Sequence, residues 1–199
     1  NFEALSALAT LAFEYPPRAE LFRKELENLL VLARDQGRDP SSYYGSFAGA
    51  LGYPQFLPSS IRNFAVDFDG NGVIDFESDP VDAIGSVANY LAVHGWVSGA
   101  PVAQRVHVPD NIDPVPLIDA GILPSLDPAT LRGQGIVPIG GDLFPAEVTF
   151  VDLPTPGART EYWLGYRNFY AITRYNRSSF YAMSVFQLAE AIARRAGMR

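Results

Sequence analysis

The chain has 199 residues, of which 48% are hydrophobic, and this is long enough to close a hydrophobic core. Its 22 acidic and 15 basic residues give a net charge of −7, which argues against nucleic acid as a partner. The absence of cysteine excludes disulfides and thiolate chemistry. The sequence contains no apolar run of 18 residues, so we expect membrane contact only through an anchor outside this chain.

Two helices are predicted at the start of the chain. Apolar residues recur at helical spacing from Phe2 to Ala12, which predicts a helix that begins at the first residues. The sequence Tyr15-Pro16-Pro17 interrupts this pattern. A second apolar stripe from Phe22 to Ala33 predicts another helix, which ends near Gly37.

Residues 41–60 are rich in aromatic, small and glycine residues, which is typical of a compact loop region that faces a ligand. Aromatic rings cover the apolar face of a sugar, and Ser and Gln side chains bind its hydroxyl and N-acetyl groups. The composition alone favours the simpler alternative, that these aromatic residues belong to the core.

An acidic loop follows between Asp67 and Asp82, and it contains no Lys or Arg. Asp67, Asp69 and Asn71 occupy the first, third and fifth positions of an EF-hand loop, with the backbone carbonyl of Val73 at the seventh. Position twelve is Ser78 instead of Glu, so the last ligand must come from a longer loop. The pattern predicts a structural Ca²⁺ site, and Mg²⁺ is less suited to it. The alternative is a solvated acidic turn without a metal.

The remaining elements include helices at both ends of a proline-rich segment. Asp79 and Pro80 begin a predicted helix that ends at His94-Gly95, and another helix begins near Ser179. Residues 100–156 lack helical periodicity, and strands are predicted at 147–151 and 162–166. We therefore predict three parts: a helical core part with the acidic loop (1–100), a small β lobe (101–165) and a return to the core with a C-terminal helix (166–199).

Several of these segments together resemble the B-type lytic murein transglycosylases. The resemblance is carried by GSFAGALGYPQFLPSS (45–60), the acidic loop, PVDAIGSVANY (80–90) and HGW (94–96), and it covers nearly the whole chain except the proline-rich lobe. It implies an α+β, mainly α fold that has a lysozyme-like core, an EF-hand-like calcium loop and a small β lobe.

The resemblance also implies site residues. The glycan-binding positions would be Ser46, Gln55, Tyr90, Tyr175, Asn176 and Tyr181. The metal ligands would be Asp67, Asp69, Asn71, Val73 and, as the last ligand, Asp82, with Asp79 as its substitute. Each glycan position also has a simpler interpretation: Ser46 as a turn residue, Gln55 as a backbone tie and Tyr90 as a half-buried helix aromatic. Leu21 stands where the family often has a tyrosine, so one sugar contact is in doubt.

Members of this family cleave the β-1,4 bond between N-acetylmuramic acid and N-acetylglucosamine and form a 1,6-anhydro product. The resemblance places their catalytic Glu in a Glu-Thr-x-x-Gly-like motif, which we expect ahead of residue 1, and Glu14, Glu20, Glu25, Glu147 and Glu161 are weak substitutes. It implies a periplasmic enzyme, soluble or lipid-anchored to the outer membrane. Its partners would be peptidoglycan glycan strands, with cell-wall synthesis or division proteins as further candidates. The alternatives are a non-catalytic, calcium-stabilised peptidoglycan-binding module and a calcium-stabilised domain without glycan affinity.

Overall fold

The computed structural model describes residues 1–198 and is mainly helical, with two small sheets. The helices are α1 (Ala4–Glu14), α2 (Ala19–Gln36), α3 (Pro58–Phe64), α4 (Pro80–Val93), α5 (Val115–Asp119), α6 (Pro128–Gly133), α7 (Arg167–Tyr175) and α8 (Ser179–Arg195). The strands are β1 (Phe2–Glu3), β2 (Tyr44–Gly45), β3 (Ala103–His107), β4 (Val137–Pro138), β5 (Thr149–Leu153) and β6 (Glu161–Gly165). Contacts divide the chain into two compact units, Asn1–Tyr90 and Leu91–Arg199.

The first unit is built on the packing of α1 against α2, and α2 also packs on α3. The side of α1 that is fully buried carries Ala4, Leu8 and Ala12, one residue per helical turn. Glu25 is the one charged residue on the buried side of α2, and its carboxylate accepts hydrogen bonds from Ser59 N (2.9 Å) and Ser59 Oγ (2.6 Å). These bonds fix the first turn of α3 to α2, because a buried carboxylate requires such partners.

The second unit contains an antiparallel sheet with the strand order β4-β3-β6-β5. Successive residues of a strand point to opposite faces of the sheet. In this sheet each face contributes residues to a different core cluster. Phe150 and Leu164 belong to a core cluster on one face, which also contains Leu131 of α6. Val151 and Trp163 belong to the other cluster, which includes residues of α7 and α8.

The structure confirms most of the predicted helices. α2 ends at Gln36, where Gly37 forms a left-handed cap whose N–H bonds to carbonyls of the last turn. Asp79 Oδ1 accepts a hydrogen bond from Val81 N at the start of α4, and the Ser178 side chain accepts one from Tyr181 N at the start of α8. Helix α1 begins at Ala4 instead of the first residue, because Phe2 and Glu3 pair with β2.

Residues 100–156, which show no helical periodicity in the sequence, also contain two short helices. Helices α5 and α6 lie in this segment, each with a proline in its first turn. They have five and six residues, which is too short for an apolar repeat to become visible in the sequence. The predicted strands near 147–151 and 162–166 correspond to β5 and β6, each displaced by one or two residues. The three-part division of the chain stays a prediction.

Candidate functional site

The loop that follows β2 is folded around the hydroxyl of Ser46. Ser46 Oγ accepts hydrogen bonds from Ala48 N (3.2 Å) and Ala50 N (3.1 Å), and Ser46 N donates to Ala50 O. Ser46 is therefore a turn residue, as the simpler interpretation predicted. Because these bonds use the acceptor sites of Oγ, the hydroxyl proton is still free to be donated to a ligand.

Gln55 is the one non-glycine residue among residues 1–198 with a positive φ, at 51°. Such a left-handed conformation costs a residue with a side chain about 1–2 kcal/mol. The Gln55 side chain is exposed, and its Nε2 donates to Gly52 O at 2.9 Å. This hydrogen bond orients the amide. Its Oε1 atom takes no part in the bond to Gly52 and is an acceptor for a ligand.

Tyr90 lies in the core of the first unit, at the C-terminal half of α4. Its side chain is 7% exposed, and its ring packs against Phe56 (centroids 5.7 Å apart) and Phe64 (4.8 Å). The ring of Phe56 connects it to the turn that holds Gln55. Tyr90 thus supports that turn from behind instead of offering an open aromatic face, and direct contact with a sugar stays a prediction.

The second unit brings together Tyr175, Asn176 and Tyr181. The rings of Tyr175 and Tyr181 are stacked, with centroids 6.4 Å apart and an interplanar angle of 14°. Asn176 is exposed at the C-terminal end of α7, between the two tyrosines in the chain. Burial raises the pKa of the Tyr181 hydroxyl, so this group stays protonated and can donate a hydrogen bond at neutral pH.

Helix α7 is fixed at its other end by Asn168, which is fully buried. Asn168 Oδ1 accepts from Val97 N (2.8 Å), and its Nδ2 donates to Val97 O and Ala100 O (2.9 Å each). A side-chain amide that satisfies backbone groups in this way is costly to replace. It sets the position from which α7 presents Tyr175.

The acidic loop brings three carboxylates into one cluster. One carboxylate oxygen each of Asp67, Asp69 and Asp82 lies within 4.8 Å of the others. Backbone N–H groups point inward as well: Asp67 accepts from Gly70, Asn71 and Gly72. The bond from Gly72 N is the main reason why the pKa of Asp67 lies below its ordinary value, so this carboxylate is ionised at neutral pH.

The two residues predicted as candidates for the last ligand have different surroundings. Asp82 is 0% exposed, and its carboxylate accepts from Phe68 N (2.8 Å) and Asp75 N (3.0 Å). Asp79 is partly buried at its capping position, where Oδ1 accepts from Val81 N at 2.8 Å. Asp82 therefore faces the loop, whereas Asp79 serves the N-terminus of α4.

The other two predicted ligands lie at the exposed rim of the loop. Asn71 Oδ1 accepts from Val73 N (2.8 Å), and Asn71 Nδ2 donates to Asp69 Oδ2 (2.9 Å). The donor set consists of carboxylate, amide and carbonyl oxygens, which suits a hard cation such as Ca²⁺. A buried carboxylate beside two others needs compensation by positive charge, and a cation fits this arrangement.

The comparisons with known proteins assign the family. The sequence model described as "Transglycosylase SLT domain" matches residues 1–190. The chain belongs to this transglycosylase family. It is 47% identical over 191 residues to the membrane-bound lytic murein transglycosylase B of Escherichia coli K12, a match that covers 95% of this chain and 50% of that protein.

Two solved structures are similar in fold. Soluble lytic transglycosylase SltB1 from Pseudomonas aeruginosa has a TM-score of 0.87 and 49% identity, with 99% of this chain and 65% of that chain covered. Escherichia coli lytic transglycosylase Slt35 in complex with calcium has a TM-score of 0.83 and 45% identity, with 97% and 60% covered.

The resemblance to the B-type lytic murein transglycosylases is thus confirmed, and the mainly helical chain with small sheets has the lytic transglycosylase fold. The chain spans half the length of the curated relative that it matches. None of the helices in residues 1–198 is long and apolar enough to cross a membrane.

Three of the five glutamates considered as substitute acids are bound to other side chains, and the other two, Glu14 and Glu147, are exposed. Glu25 is bound to Ser59, Glu20 pairs with Lys24 (3.3 Å) and Glu161 pairs with Arg105 (3.1 Å). Sequence reasoning did not single out Phe76, which lines a cleft beside Gln55. Its signal in the sequence was a large apolar residue between two acidic residues, Asp75 and Glu77, near the end of the acidic loop.

Proposed function

We propose that this chain forms the glycan-binding and cation-binding parts of a lytic murein transglycosylase. The enzyme cleaves the β-1,4 bond between N-acetylmuramic acid and N-acetylglucosamine and leaves a 1,6-anhydromuramic acid end. The observation that carries this proposal is the turn at Gln55, which lies in the segment matched by the family model. There the backbone of Gln55 is strained while its side-chain amide is exposed. Backbone strain of this kind persists only where the surroundings enforce it, and it concentrates at functional sites.

The polar groups of both units suit a sugar chain. In the first unit, the Ser46 hydroxyl proton and Gln55 Oε1 offer a donor and an acceptor for hydroxyl or N-acetyl groups. In the second unit, Asn176 and the hydroxyl of Tyr181 provide further donors, and the stacked rings provide an apolar surface. Tyr90 contributes through its packing behind the Gln55 turn.

The reaction needs a single carboxyl group. As a general acid, it protonates the glycosidic oxygen while the bond to C1 breaks; its carboxylate then accepts the proton of the muramic 6-hydroxyl, whose oxygen bonds to C1. No water enters the product. We assign this role to none of the carboxylates of residues 1–198, and the proposal keeps the expectation of a glutamate ahead of residue 1. The role of Ser46 and Gln55 is to orient the sugar for that group.

The acidic loop is proposed as an EF-hand-like Ca²⁺ site with a structural role. Asp67, Asp69, Asn71, the Val73 carbonyl and Asp82 are its proposed ligands, and the contacts of Asp82 favour it over Asp79 as the last of them. A bound Ca²⁺ would compensate the carboxylate charges. That Slt35 has been solved with calcium supports this choice of ion.

The proposed location is the periplasm, with the protein either soluble or lipid-anchored to the outer membrane. The proposed partner is the glycan of peptidoglycan, in line with the murein named for the Escherichia coli relative. Cell-wall synthesis or division proteins are further proposed partners.

The deciding experiment is digestion of murein sacculi by the protein as its natural source makes it, followed by mass spectrometry of the soluble muropeptides. We expect anhydromuropeptides, which are lighter by one water than lysozyme products. Gln55→Ala should slow their release by about 10-fold or more, whereas the exposed Gln187→Ala on α8 should not change it. Glycan binding without any released product would instead support the non-catalytic alternative, and reducing-end products would contradict the transglycosylase chemistry.

A further inference from the structure

A cleft of about 440 Å³ in the first unit joins the Gln55 turn to the end of the acidic loop. Its lining includes Tyr44, Tyr53, Gln55, Phe76 and Glu77. Tyr44 and Tyr53 are 59% and 62% exposed, so their rings are available to a ligand. Exposed aromatic rings next to an amide and a carboxylate are the combination that binds a pyranose.

One wall of this cleft is attached to the acidic loop by a hydrogen bond. Tyr53 N donates to Phe76 O at 2.9 Å, and Phe76 directly follows Asp75, whose N–H binds the buried Asp82 carboxylate. Two hydrogen bonds therefore connect the carboxylate cluster to Tyr53. One runs from Asp75 N to the Asp82 carboxylate, and the other from Tyr53 N to Phe76 O. A shift of residues 75–76 must displace Tyr53.

Gly52 and Phe56 make this attachment tight. A Cβ atom on Gly52 would lie 2.6 Å from Phe76 Cβ and 2.7 Å from Phe76 O, so only glycine allows this approach. The ring of Phe76 meets the ring of Phe56 edge to face, with centroids 6.0 Å apart. Phe76 thus contacts both ends of the turn that carries Gln55.

We propose that this cleft binds a neutral N-acetylhexosamine unit of the glycan, and that Phe76 is a positioning residue which links its shape to the acidic loop. Cation binding and sugar binding therefore strengthen each other. This inference rests on the proposed function. It adds a sugar-binding site at Tyr44 and Tyr53, and it makes the affinity of that site for sugar depend on the cation in the acidic loop. The carboxylate of Glu77, which also pairs with Arg38 at 3.2 Å, accepts sugar hydroxyls and disfavours an acidic sugar.

The linkage is measured on the 199-residue chain with tri-N-acetylchitotriose, a neutral probe that requires no turnover. Calorimetry gives the sugar Kd in Ca²⁺ and in EGTA, at a temperature where circular dichroism shows both forms folded. We expect Ca²⁺ to tighten sugar binding by about 5-fold or more, and saturating sugar to tighten Ca²⁺ binding by the same factor. Equal sugar Kd values in the two conditions, or no sugar binding at all, would overturn the proposal.

A pair of glycine variants separates this linkage from general destabilisation. Gly52→Ala introduces the clash with Phe76, whereas Gly37→Ala has a similar φ of 62° with nothing within 4 Å of the new methyl group. Gly52→Ala should bring the ratio of the sugar Kd in EGTA to the sugar Kd in Ca²⁺ close to one. Gly37→Ala should leave this ratio unchanged. If Gly52→Ala does not fold, Phe76→Leu tests the same contact through loss of the Phe56 ring packing.

The outcome is distinct from that of the sacculus digestion. Anhydromuropeptide release with no effect of Ca²⁺ on sugar binding would leave the proposed function standing and reject the linkage. Tyr53→Ala tests the site itself: the sugar Kd should rise by about 5-fold or more while the Ca²⁺ Kd of the sugar-free chain stays the same. An unchanged sugar Kd in this variant would contradict the placement of the sugar in this cleft.

Discussion

The carboxylate of Asp82 accepts a hydrogen bond of 3.0 Å from the backbone N–H of Asp75, across the mouth of the acidic loop. Asp82 lies in the first turn of α4 and is fully buried, and it also accepts from Phe68 N. A single side chain thus holds both sides of the loop to a helix. The bond explains how a loop whose twelfth position is Ser78 can still be closed by a carboxylate.

We predict that Asp82→Asn weakens Ca²⁺ binding by about 10-fold or more, because the amide replaces one carboxylate oxygen with a donor that faces N–H groups. The unfolding temperature measured in Ca²⁺ should fall accordingly. Asp79→Asn is the matched control, since asparagine caps a helix as well as aspartate does. Similar Ca²⁺ Kd values for the two variants would show that Asp82 is not a ligand.

Substitution of Gln55 should separate stability from glycan binding. Gln55→Gly removes the cost of a side chain at a φ of 51°, whereas Gln55→Ala retains it, so the glycine variant should be more stable by about 1 kcal/mol. Both variants lose the amide and should bind murein glycan more weakly than the natural chain. Urea unfolding and a glycan pull-down measure the two effects. A glycine variant less stable than the alanine variant would contradict the strain argument.

The stacked tyrosines of the second unit predict different results for two substitutions of Tyr181. Tyr181→Ala removes the stack with Tyr175 and should lower the stability by about 1 kcal/mol or more. Tyr181→Phe keeps the stack and should fold as the natural chain does, but it lacks the hydroxyl proposed for sugar binding. We therefore expect Tyr181→Phe to raise KM for glycan with little change in thermal unfolding. An unchanged KM would assign Tyr181 to packing alone.

The pH dependence of stability should include a contribution from Asp127, which caps α6. Hydrogen bonds from the Thr130 side chain and then from the backbone lower the pKa of Asp127 below its ordinary value. A lowered folded-state pKa stabilises the protein above the unfolded-state pKa, and this contribution is lost as the pH falls through the folded value. The free energy of unfolding of the natural chain should therefore exceed that of Asp127→Asn by more at pH 6 than at pH 3. Urea unfolding of both proteins at the two pH values tests this, and a constant difference would contradict it.

The linear sequence was sufficient for features that depend on neighbours along the chain. The spacing of Asp67, Asp69 and Asn71 predicted the carboxylate cluster, because an EF-hand-like loop takes its ligands from alternate residues of one short segment. Gly37 and Asp79 predicted helix ends for the same reason, since a cap bonds within its own turn. The family segments added candidate glycan residues, including Tyr175, Asn176 and Tyr181.

Only the tertiary structure decided which side chains face the core and which segments touch. Tyr90 occurs in a helix whose sequence allows a half-exposed ring, yet Phe56 and Phe64 enclose it. The contact of Gly52 with Phe76 joins residues 24 positions apart, and no local pattern in the sequence encodes it. The helical periodicity of a segment determines which residues share a face, but burial depends on the segment packed against that face. The family resemblance named Asp82 as the last metal ligand, and only the packing around α4 showed that its carboxylate is buried and bound to Phe68 and Asp75.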